Sequence, residues 1–220
     1  MRIGVVGGTG PAGRALAVRL ASVGFEVVIG SRSKDRASEV RDALAAAWPD
    51  RSFALDAAAN EDAAAADLIV VATPWDAAAE TARSLDEPLA GKVVVCMANA
   101  LIRLGSEFQP LVPPRGSVAA NVQAVLPRSL VAAAFHHVPA KELGALDHPV
   151  DADVLVCSDH HEAFEATAAC IRKVPGLRPL DAGSLSSASA IESFTAVLLQ
   201  LNTRYKTRVG IKLTGIDVSR

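Results

Sequence analysis

The sequence lacks the features that mark several common classes of protein. Its three cysteines, Cys96, Cys157 and Cys170, are odd in number, widely spaced and without a Cys-x-x-Cys pair, which argues against a disulfide framework and against a zinc site. No apolar run approaches the roughly eighteen residues that a membrane helix needs, and the chain starts with a strand and a glycine turn, not a signal peptide. We therefore expect a soluble, cytoplasmic protein with reduced thiols and no metal site.

The charge balance offers no pattern for binding a polyanion. The chain has 22 Lys and Arg residues against 24 Asp and Glu residues, a formal net charge of -2. We therefore expect neither a nucleic acid nor a membrane surface as a partner, and any recognition of phosphate must be local. Half of the 220 residues are apolar, which permits a large core.

Strand-like and helix-like segments alternate along most of the chain. This alternation predicts an α/β fold, a doubly wound parallel (Rossmann) sheet with a small C-terminal α/β lobe. The pattern also predicts a third strand over 52–56, an irregular excursion over 99–116 and a helix over 159–173 capped by Ser158 or Asp159. A proline-containing strand over 177–181 should lie at a sheet edge, and a long amphipathic helix should cover 187–206.

A glycine turn follows the first predicted strand and precedes an amphipathic helix. Gly8, Gly10 and Gly13 fit the G-x-G-x-x-G spacing, and they would serve the tight turn, the approach of a pyrophosphate and the packing of helix on strand. Free amides near Ala12 and Gly13 would bind the pyrophosphate, while Pro11 has no amide to donate. The motif in this context predicts a nucleotide site.

The end of the second predicted strand indicates which dinucleotide would bind. Ser31 and Arg32 stand where an NAD site places a carboxylate on the ribose hydroxyls. A hydroxyl and a guanidinium suit a 2′-phosphate, so NADP is favoured over NAD. Arg36, one helical turn beyond Arg32, is a second candidate phosphate partner or else a solvated surface residue.

Two later segments supply candidates for the rest of the cleft. Thr73, Pro74 and Trp75 follow the fourth predicted strand, at the edge where open α/β sheets bind ligands. His136 follows the sixth, where it either contacts cofactor or substrate or packs within the loop. Its neighbour His137 would point to the opposite face of a strand, so the two would not chelate one ion.

Glu192 is expected at the surface or in an ion pair. No general acid and base pair stands out, which favours chemistry carried by cofactors.

Several motifs together resemble one enzyme family over essentially the whole chain. They are Gly7-Gly8-Thr9-Gly10, Gly30-Ser31-Arg32, Pro74-Trp75, His136-His137-Val138-Pro139-Ala140, Gly176-Leu177-Arg178-Pro179-Leu180-Asp181-Ala182-Gly183 and Gly210-Ile211-Lys212. In this order they resemble the NADPH-dependent coenzyme F420 reductases, the NADP:deazaflavin oxidoreductases. The resemblance implies direct hydride transfer between the nicotinamide C4 of NADP(H) and C5 of the 5-deazaflavin F420. The cleft would lie between an NADP-binding domain over 1–140 and a small C-terminal domain over 141–220.

The resemblance also implies roles for individual residues. Thr9, Ser31, Arg32 and Arg36 would bind the 2′-phosphate and phosphates. The nicotinamide would be surrounded by Pro74, Trp75, His136, Pro139 and Ala140, with the Ala140 amide at its carboxamide. Val209 and Gly210 would face the deazaflavin. The chain departs from an archaeal member at Met97-Ala98-Asn99-Ala100, where Asn99 is the candidate for a hydrogen bond to the ring.

Two other functions remain open at this point. The same fold suits an NADP-dependent reductase of a small carbonyl or imine substrate, and it suits a non-catalytic NADP-sensing protein, because fold does not determine function. The apolar helix near the C-terminus favours a homodimer.

Overall fold

A computed structural model describes residues 1–216. The first half comprises β1 (Arg2–Val6), α1 (Pro11–Ser22), β2 (Glu26–Ser31), α2 (Lys34–Ala47), β3 (Leu55–Ala59), α3 (Asn60–Ala63), β4 (Leu68–Val71), α4 (Trp75–Ser84), α5 (Asp86–Leu89) and β5 (Val93–Cys96). The second half comprises β6 (Leu101–Leu104), β7 (Glu107–Pro110), α6 (Val118–Val125), β8 (Leu130–Ala133), α7 (Ala140–Leu143), β9 (Ala152–Ser158), α8 (His161–Lys173), β10 (Leu177–Asp181), a 3-10 turn (Leu185–Ser187) and α9 (Ala188–Tyr205).

Eight strands form one sheet in the order β10-β9-β8-β5-β4-β1-β2-β3. The run from β3 to β8 is parallel, and its order is that of a doubly wound Rossmann sheet, so the predicted fold class is confirmed. The carboxyl ends of these six strands share one edge, and the chain changes direction between β1 and β4. Because β9 is antiparallel to β8 and parallel to β10, both last strands begin at that same edge.

The core occupies both faces of the sheet. Val70 packs on one face with Leu16 and Ile171 from the helices, whereas Ile69 and Val71 pack on the other with a second set of helices. Burial on two faces requires apolar residues at every position of a strand, which explains why β4 is a continuous apolar run.

Three expected segments differ in the structure. The third strand begins at Leu55 and not at residue 52, because its pairing with β2 joins Val27 to Leu55 and Ser31 to Ala59. The region expected to be irregular contains the antiparallel hairpin β6–β7. Gly105, with a φ of 61°, forms its two-residue turn, and the prolines lie at or beyond the strand ends. The N-cap of α8 is His160 and neither Ser158 nor Asp159.

The proline-containing strand β10 lies at the sheet edge, as predicted. The C-terminal strands continue the same sheet as the nucleotide-binding half, and the division of the chain at residue 140 stays a prediction. Among residues 1–216, none of the helices combines the length and the apolar character needed to cross a membrane.

Candidate functional site

The glycine turn after β1 is packed tightly onto the sheet. The amide of Gly8 donates to the carbonyls of Val5 at 3.1 Å and Gly30 at 2.9 Å, and a Cβ on Gly8 would lie 2.7 Å from the Val5 oxygen. Gly7 has a φ of 70° and donates to Asn60 Oδ1 at 3.1 Å. A side chain on either glycine would therefore displace backbone atoms.

The next two glycines of the motif meet opposite surroundings. A Cβ on Gly13 would lie 2.8 Å from Gly8 Cα, so this position holds α1 close to the turn as predicted, whereas a Cβ on Gly10 would meet nothing within 4 Å. Gly10 is the N-cap of α1 and supplies no side-chain hydrogen bond. The amides of Ala12 and Gly13, in the first turn after Pro11, therefore have no intrahelical partner and suit an anion.

The end of β2 lies beside this turn and presents a hydroxyl and a guanidinium. Ser31 is buried, and its Oγ accepts from the amide of Ser33 at 3.3 Å. Arg32 follows on the exposed surface. Arg36 is exposed, and its Nη1 lies 3.0 Å from Glu39 Oε2 on the same helix. The strand thus ends without the carboxylate that a ribose 2′-hydroxyl would require.

Buried polar atoms without partners lie after three neighbouring strands. Within residues 1–216, no hydrogen-bond partner is found for Thr73 Oγ1 after β4, Asn99 Oδ1 after β5 or either ring nitrogen of His136 after β8. An unsatisfied buried polar group costs about 1–3 kcal/mol, so a cluster of them calls for an explanation. All three residues follow carboxyl ends of parallel strands, the edge where this fold binds its ligands.

The loops after β5 and β8 are joined by Asn99, whose Nδ2 donates to the His136 carbonyl at 2.7 Å. Phe135, immediately before His136, has a φ of 63°. A bulky residue in that region costs about 1–3 kcal/mol and is typical of functional sites. The geometry at the end of β8 is thus held against local backbone preference.

The two histidines lie in a turn, not on a strand, because β8 ends at Ala133. The expectation of opposite strand faces is therefore wrong, and their ring centroids are 4.9 Å apart at 74°. Burial, with the neighbouring His137, lowers the pKa of His136 to about 3. Burial also lowers the pKa of His137 to about 4, and Leu155 N donates to its Nε2 at 3.1 Å. Both rings are neutral at physiological pH.

The remaining candidates begin short helices or line a cavity at this edge. Pro74 is the N-cap of α4 and Trp75 its first residue, packed against the core. Pro139 and Ala140 stand in the same two positions at α7. They line a cavity of about 860 Å³ together with Asn202 on α9 and Arg208, three residues beyond that helix.

The C-terminal turn adjoins that cavity. Val209, directly after Arg208, donates its amide to Asn202 Oδ1 at 2.6 Å. The exposed Gly210 follows, and a Cβ there would lie 3.1 Å from Ala152 Cβ. The structure therefore brings the predicted turn near the loop that follows β8. The position of Thr9 is within the glycine turn, and its predicted phosphate contact stays a prediction.

Glu192 is buried, and not at the surface or in an ion pair as expected. It is 4% exposed, and its carboxylate accepts from the amides of Val118 at 2.9 Å and Ala119 at 3.2 Å. Burial raises its pKa to about 7. The spacing of the sequence could have indicated this burial, because Glu192 lies between Ala188 and Ala196 on the buried face of α9.

The comparisons with known proteins agree with this geometry. A family model described as NADP oxidoreductase coenzyme F420-dependent matches residues 2–100. An F420-dependent NADP reductase of Methanocaldococcus jannaschii is 36% identical over 99% of this chain and 100% of its own. Its counterpart in Methanothermobacter thermautotrophicus is 34% identical over 98% and 96%. A crystal structure from Arthrobacter sp. FB24, described provisionally as an F420-dependent NADP reductase, superposes with a TM-score of 0.83 at 25% identity, covering 97% of this chain and 99% of that one. The chain belongs to the family of F420-dependent NADP reductases.

Proposed function

We propose that this protein transfers a hydride between NADP(H) and coenzyme F420. The reaction is NADPH + F420 + H⁺ ⇌ NADP⁺ + reduced F420: the C–H bond at the nicotinamide C4 breaks, a C–H bond at the deazaflavin C5 forms, and the deazaflavin takes up the proton. The observation that carries the proposal is the row of unpartnered buried polar groups on Thr73, Asn99 and His136 beside the glycine turn. Family membership supplies the identity of the two cofactors.

One half of the cleft would hold the phosphates of NADP. Amides near Ala12 and Gly13 would bind the pyrophosphate beside Gly8, and the bare Cα of Gly10 leaves the space that the pyrophosphate needs. Thr9, Ser31, Arg32 and Arg36 would bind the 2′-phosphate and phosphates. Arg36 already pairs with Glu39, whereas Arg32 forms no ion pair with any of residues 1–216. We therefore assign the main charge contact with the 2′-phosphate to Arg32.

The other half would hold the two rings. Thr73, Pro74 and Trp75 would lie under the nicotinamide ribose. His136 and Pro139 would contact the nicotinamide, and the first amide of α7, on Ala140, would donate to its carboxamide. Asn99, with its unpartnered Oδ1, would accept a hydrogen bond from the deazaflavin, and Val209 and Gly210 would form the opposite wall.

The side chains act by placing the rings and not by exchanging protons. The pKa of His136, about 3, keeps its ring neutral, so it can orient a ring by hydrogen bonding without contributing a positive charge. When bound, the nicotinamide and the deazaflavin supply donor and acceptor carbons, and rigid walls bring them to reacting distance.

We further propose that the protein is a homodimer in the cytoplasm. Phe194 and Val197 are about half exposed and lie with Leu201 on one face of α9, a surface suited to a second copy of the chain. Cys96, Cys157 and Cys170 are buried free thiols, as expected in a reducing compartment. In analytical ultracentrifugation the native protein should sediment as a dimer and the Phe194→Glu variant as a monomer. A monomeric native protein contradicts the proposal.

The test of activity is direct. The purified protein is mixed with NADPH and oxidised F420, and the visible absorbance of the deazaflavin should decrease while NADPH is consumed in equal amount. NADH at the same concentration should give a much slower reaction. No decrease at any pH between about 5 and 9, a range that spans the ordinary pKa of a histidine, would reject the activity.

A further inference from the structure

The edge of the sheet opposite β3 contains an ion pair between a buried carboxylate and a partly exposed guanidinium, which the reaction itself does not use. Asp153, on β9, is fully buried. Arg178 stands opposite it on β10. Arg178 Nε donates to Asp153 Oδ1 at 2.8 Å and Nη2 donates to Oδ2 at 2.7 Å, and this bidentate pair lowers the pKa of the carboxyl. A charge buried this completely depends on its partners.

The remaining hydrogen-bonding groups of the pair are used to hold the C-terminal segment, residues 209–216. Leu213 N donates to Asp153 Oδ2 at 2.6 Å. The Arg178 guanidinium donates to the carbonyls of Leu213 at 2.6 Å and Ile216 at 3.1 Å. The backbone amide of Asp153 also donates to the Ile211 carbonyl at 2.7 Å. Since this segment contains neither helix nor strand, these bonds replace the regular ladder that would otherwise order it.

The anchored segment begins at the turn beside the cavity. Val209 is held on the helix side by Asn202, and Gly210 lies against Ala152, the residue before Asp153. The turn is thus held on α9 by Asn202, and beyond it the segment is held by the Asp153 amide, by the Lys212–Asp151 pair at 2.8 Å and by the ion pair. Loss of the ion pair would remove one of these anchors and loosen the segment that continues from the turn.

The same strand also supports the histidine turn. The Asp153 carbonyl lies 3.1 Å from His137 Nε2, and Leu155 N donates to that nitrogen. A short section of β9 therefore contacts both the C-terminal segment and the residue next to His136. It connects the two sides of the proposed ring pocket.

We infer that Arg178 and Asp153 are positioning residues that set the place of the Val209–Gly210 turn in the wall of the deazaflavin pocket. This inference rests on the proposed function. It assigns a purpose to Arg178, the basic residue of the motif that runs from Gly176 to Gly183. The pair does not touch the reacting rings and acts through the segment that it holds. A merely structural pair would stabilise β10 without affecting one cofactor more than the other.

The experiment uses the full-length protein and three substitutions. Arg178→Met removes the hydrogen bonds and keeps the stem, Arg178→Lys keeps the charge without the bidentate fork, and Leu213→Pro removes the amide that donates to Asp153. The matched control is Arg172→Met on α8, which pairs with Glu165 at 3.7 Å at the surface. Rates are measured with each cofactor varied, and hydrogen exchange of residues 209–216 is measured without cofactors.

We expect KM for F420 to rise about ten-fold in Arg178→Met and Leu213→Pro, because the displaced turn would contact the deazaflavin less well, with a smaller rise in Arg178→Lys. KM for NADPH should change by less than about two-fold. Exchange in 209–216 should accelerate in the same variants and not in Arg172→Met. The double variant Arg178→Met with Leu213→Pro should be no worse than either alone, because both act through one segment.

Equal changes in both KM values, additive effects, or faster exchange with unchanged KM for F420 would each overturn the inference. If Arg178→Met does not fold, Arg178→Lys and Leu213→Pro carry the test. A native protein that does not reduce F420 refutes the proposed function instead. In that case, exchange that stays slow in the variants shows separately that the pair does not anchor the segment.

Discussion

Asn99 Nδ2 donates to the backbone carbonyl of His136 at 2.7 Å, across two strands that are neighbours in the sheet. The same amide keeps its Oδ1 buried and unpartnered. One side chain therefore fixes the end of β8 and offers an acceptor to a ligand. The Nδ2 of Asn99 thus has a structural role, and its Oδ1 is available to accept a hydrogen bond from a ligand.

Replacing Asn99 tests both halves. Asn99→Ala should lower kcat about ten-fold, since loss of one buried hydrogen bond and its alignment costs about 1–2 kcal/mol. Asn99→Asp retains an acceptor but cannot donate when ionised, so it should also lower kcat. Steady-state rates at saturating NADPH are the measurement. Asn121 lies on α6, and its Oδ1 accepts from Arg115 N. Asn121→Ala serves as the control, and an equal loss of kcat there contradicts the assignment.

Arg32 should decide between the two nicotinamide dinucleotides. Arg32→Ala should raise KM for NADPH about ten- to one-hundred-fold, the value of a lost charge-assisted contact to phosphate, and should change KM for NADH little. The control is Arg41→Ala on α2, the helix that follows Arg32, where Arg41 pairs with Asp42 at 2.8 Å. Equal effects of Arg32→Ala on both dinucleotides would exclude a 2′-phosphate contact.

Substitutions of Gly10 and Gly13 should affect different properties, NADP binding for Gly10 and the stability of the fold for Gly13. Gly10→Ala should leave the melting temperature nearly unchanged, because its Cβ would meet no protein atom, and should weaken NADP binding. Gly13→Ala should destabilise the fold by about 1–3 kcal/mol because a close helix contact must shift. Thermal unfolding and isothermal titration with NADP measure the two effects. The reverse pattern would show that Gly10 has a packing role.

Glu192 should make stability depend on pH. Its pKa is about 7 in the folded protein against a usual 4.5, so the folded state binds a proton more tightly than the unfolded state. The contribution of Glu192 is fully present below pH 4.5 and is lost as pH rises to about 7. The difference in unfolding free energy between native protein and Glu192→Gln should therefore change across that window, in urea titrations. A difference independent of pH would contradict the buried, protonated carboxyl.

The two cleft histidines should act in the opposite direction. Their folded pKa values, about 3 and about 4, lie below the usual 6.5, so their contribution is present above pH 6.5 and is lost as pH falls toward 4 and 3. His137→Gln should flatten the acid side of the stability profile relative to the native protein. An unchanged acid limb in that variant would mean that His137 is exposed in the folded state.

Sequence patterns were sufficient where a local rule governs the structure. The continuous apolar run of β4 predicts a strand buried on both faces, and the spacing of Gly8, Gly10 and Gly13 predicts the turn, because both signals lie within a few residues. The alanine-rich β3 had no such signal, since alanine has a low propensity for strands. Its register came from pairing with β2.

The amino-acid sequence by itself determined the alternation of strands and helices in the parallel part of the sheet, the dinucleotide turn and the hydroxyl–guanidinium end of β2, because each follows from short-range periodicity and residue chemistry. Only the tertiary structure decided that Glu192 is buried at the start of α6, that Asn99 reaches His136, and that Arg178 and Asp153 anchor residues 209–216. These relationships join residues 25 to 74 positions apart. They arise from sheet pairing and helix packing, which no local pattern encodes.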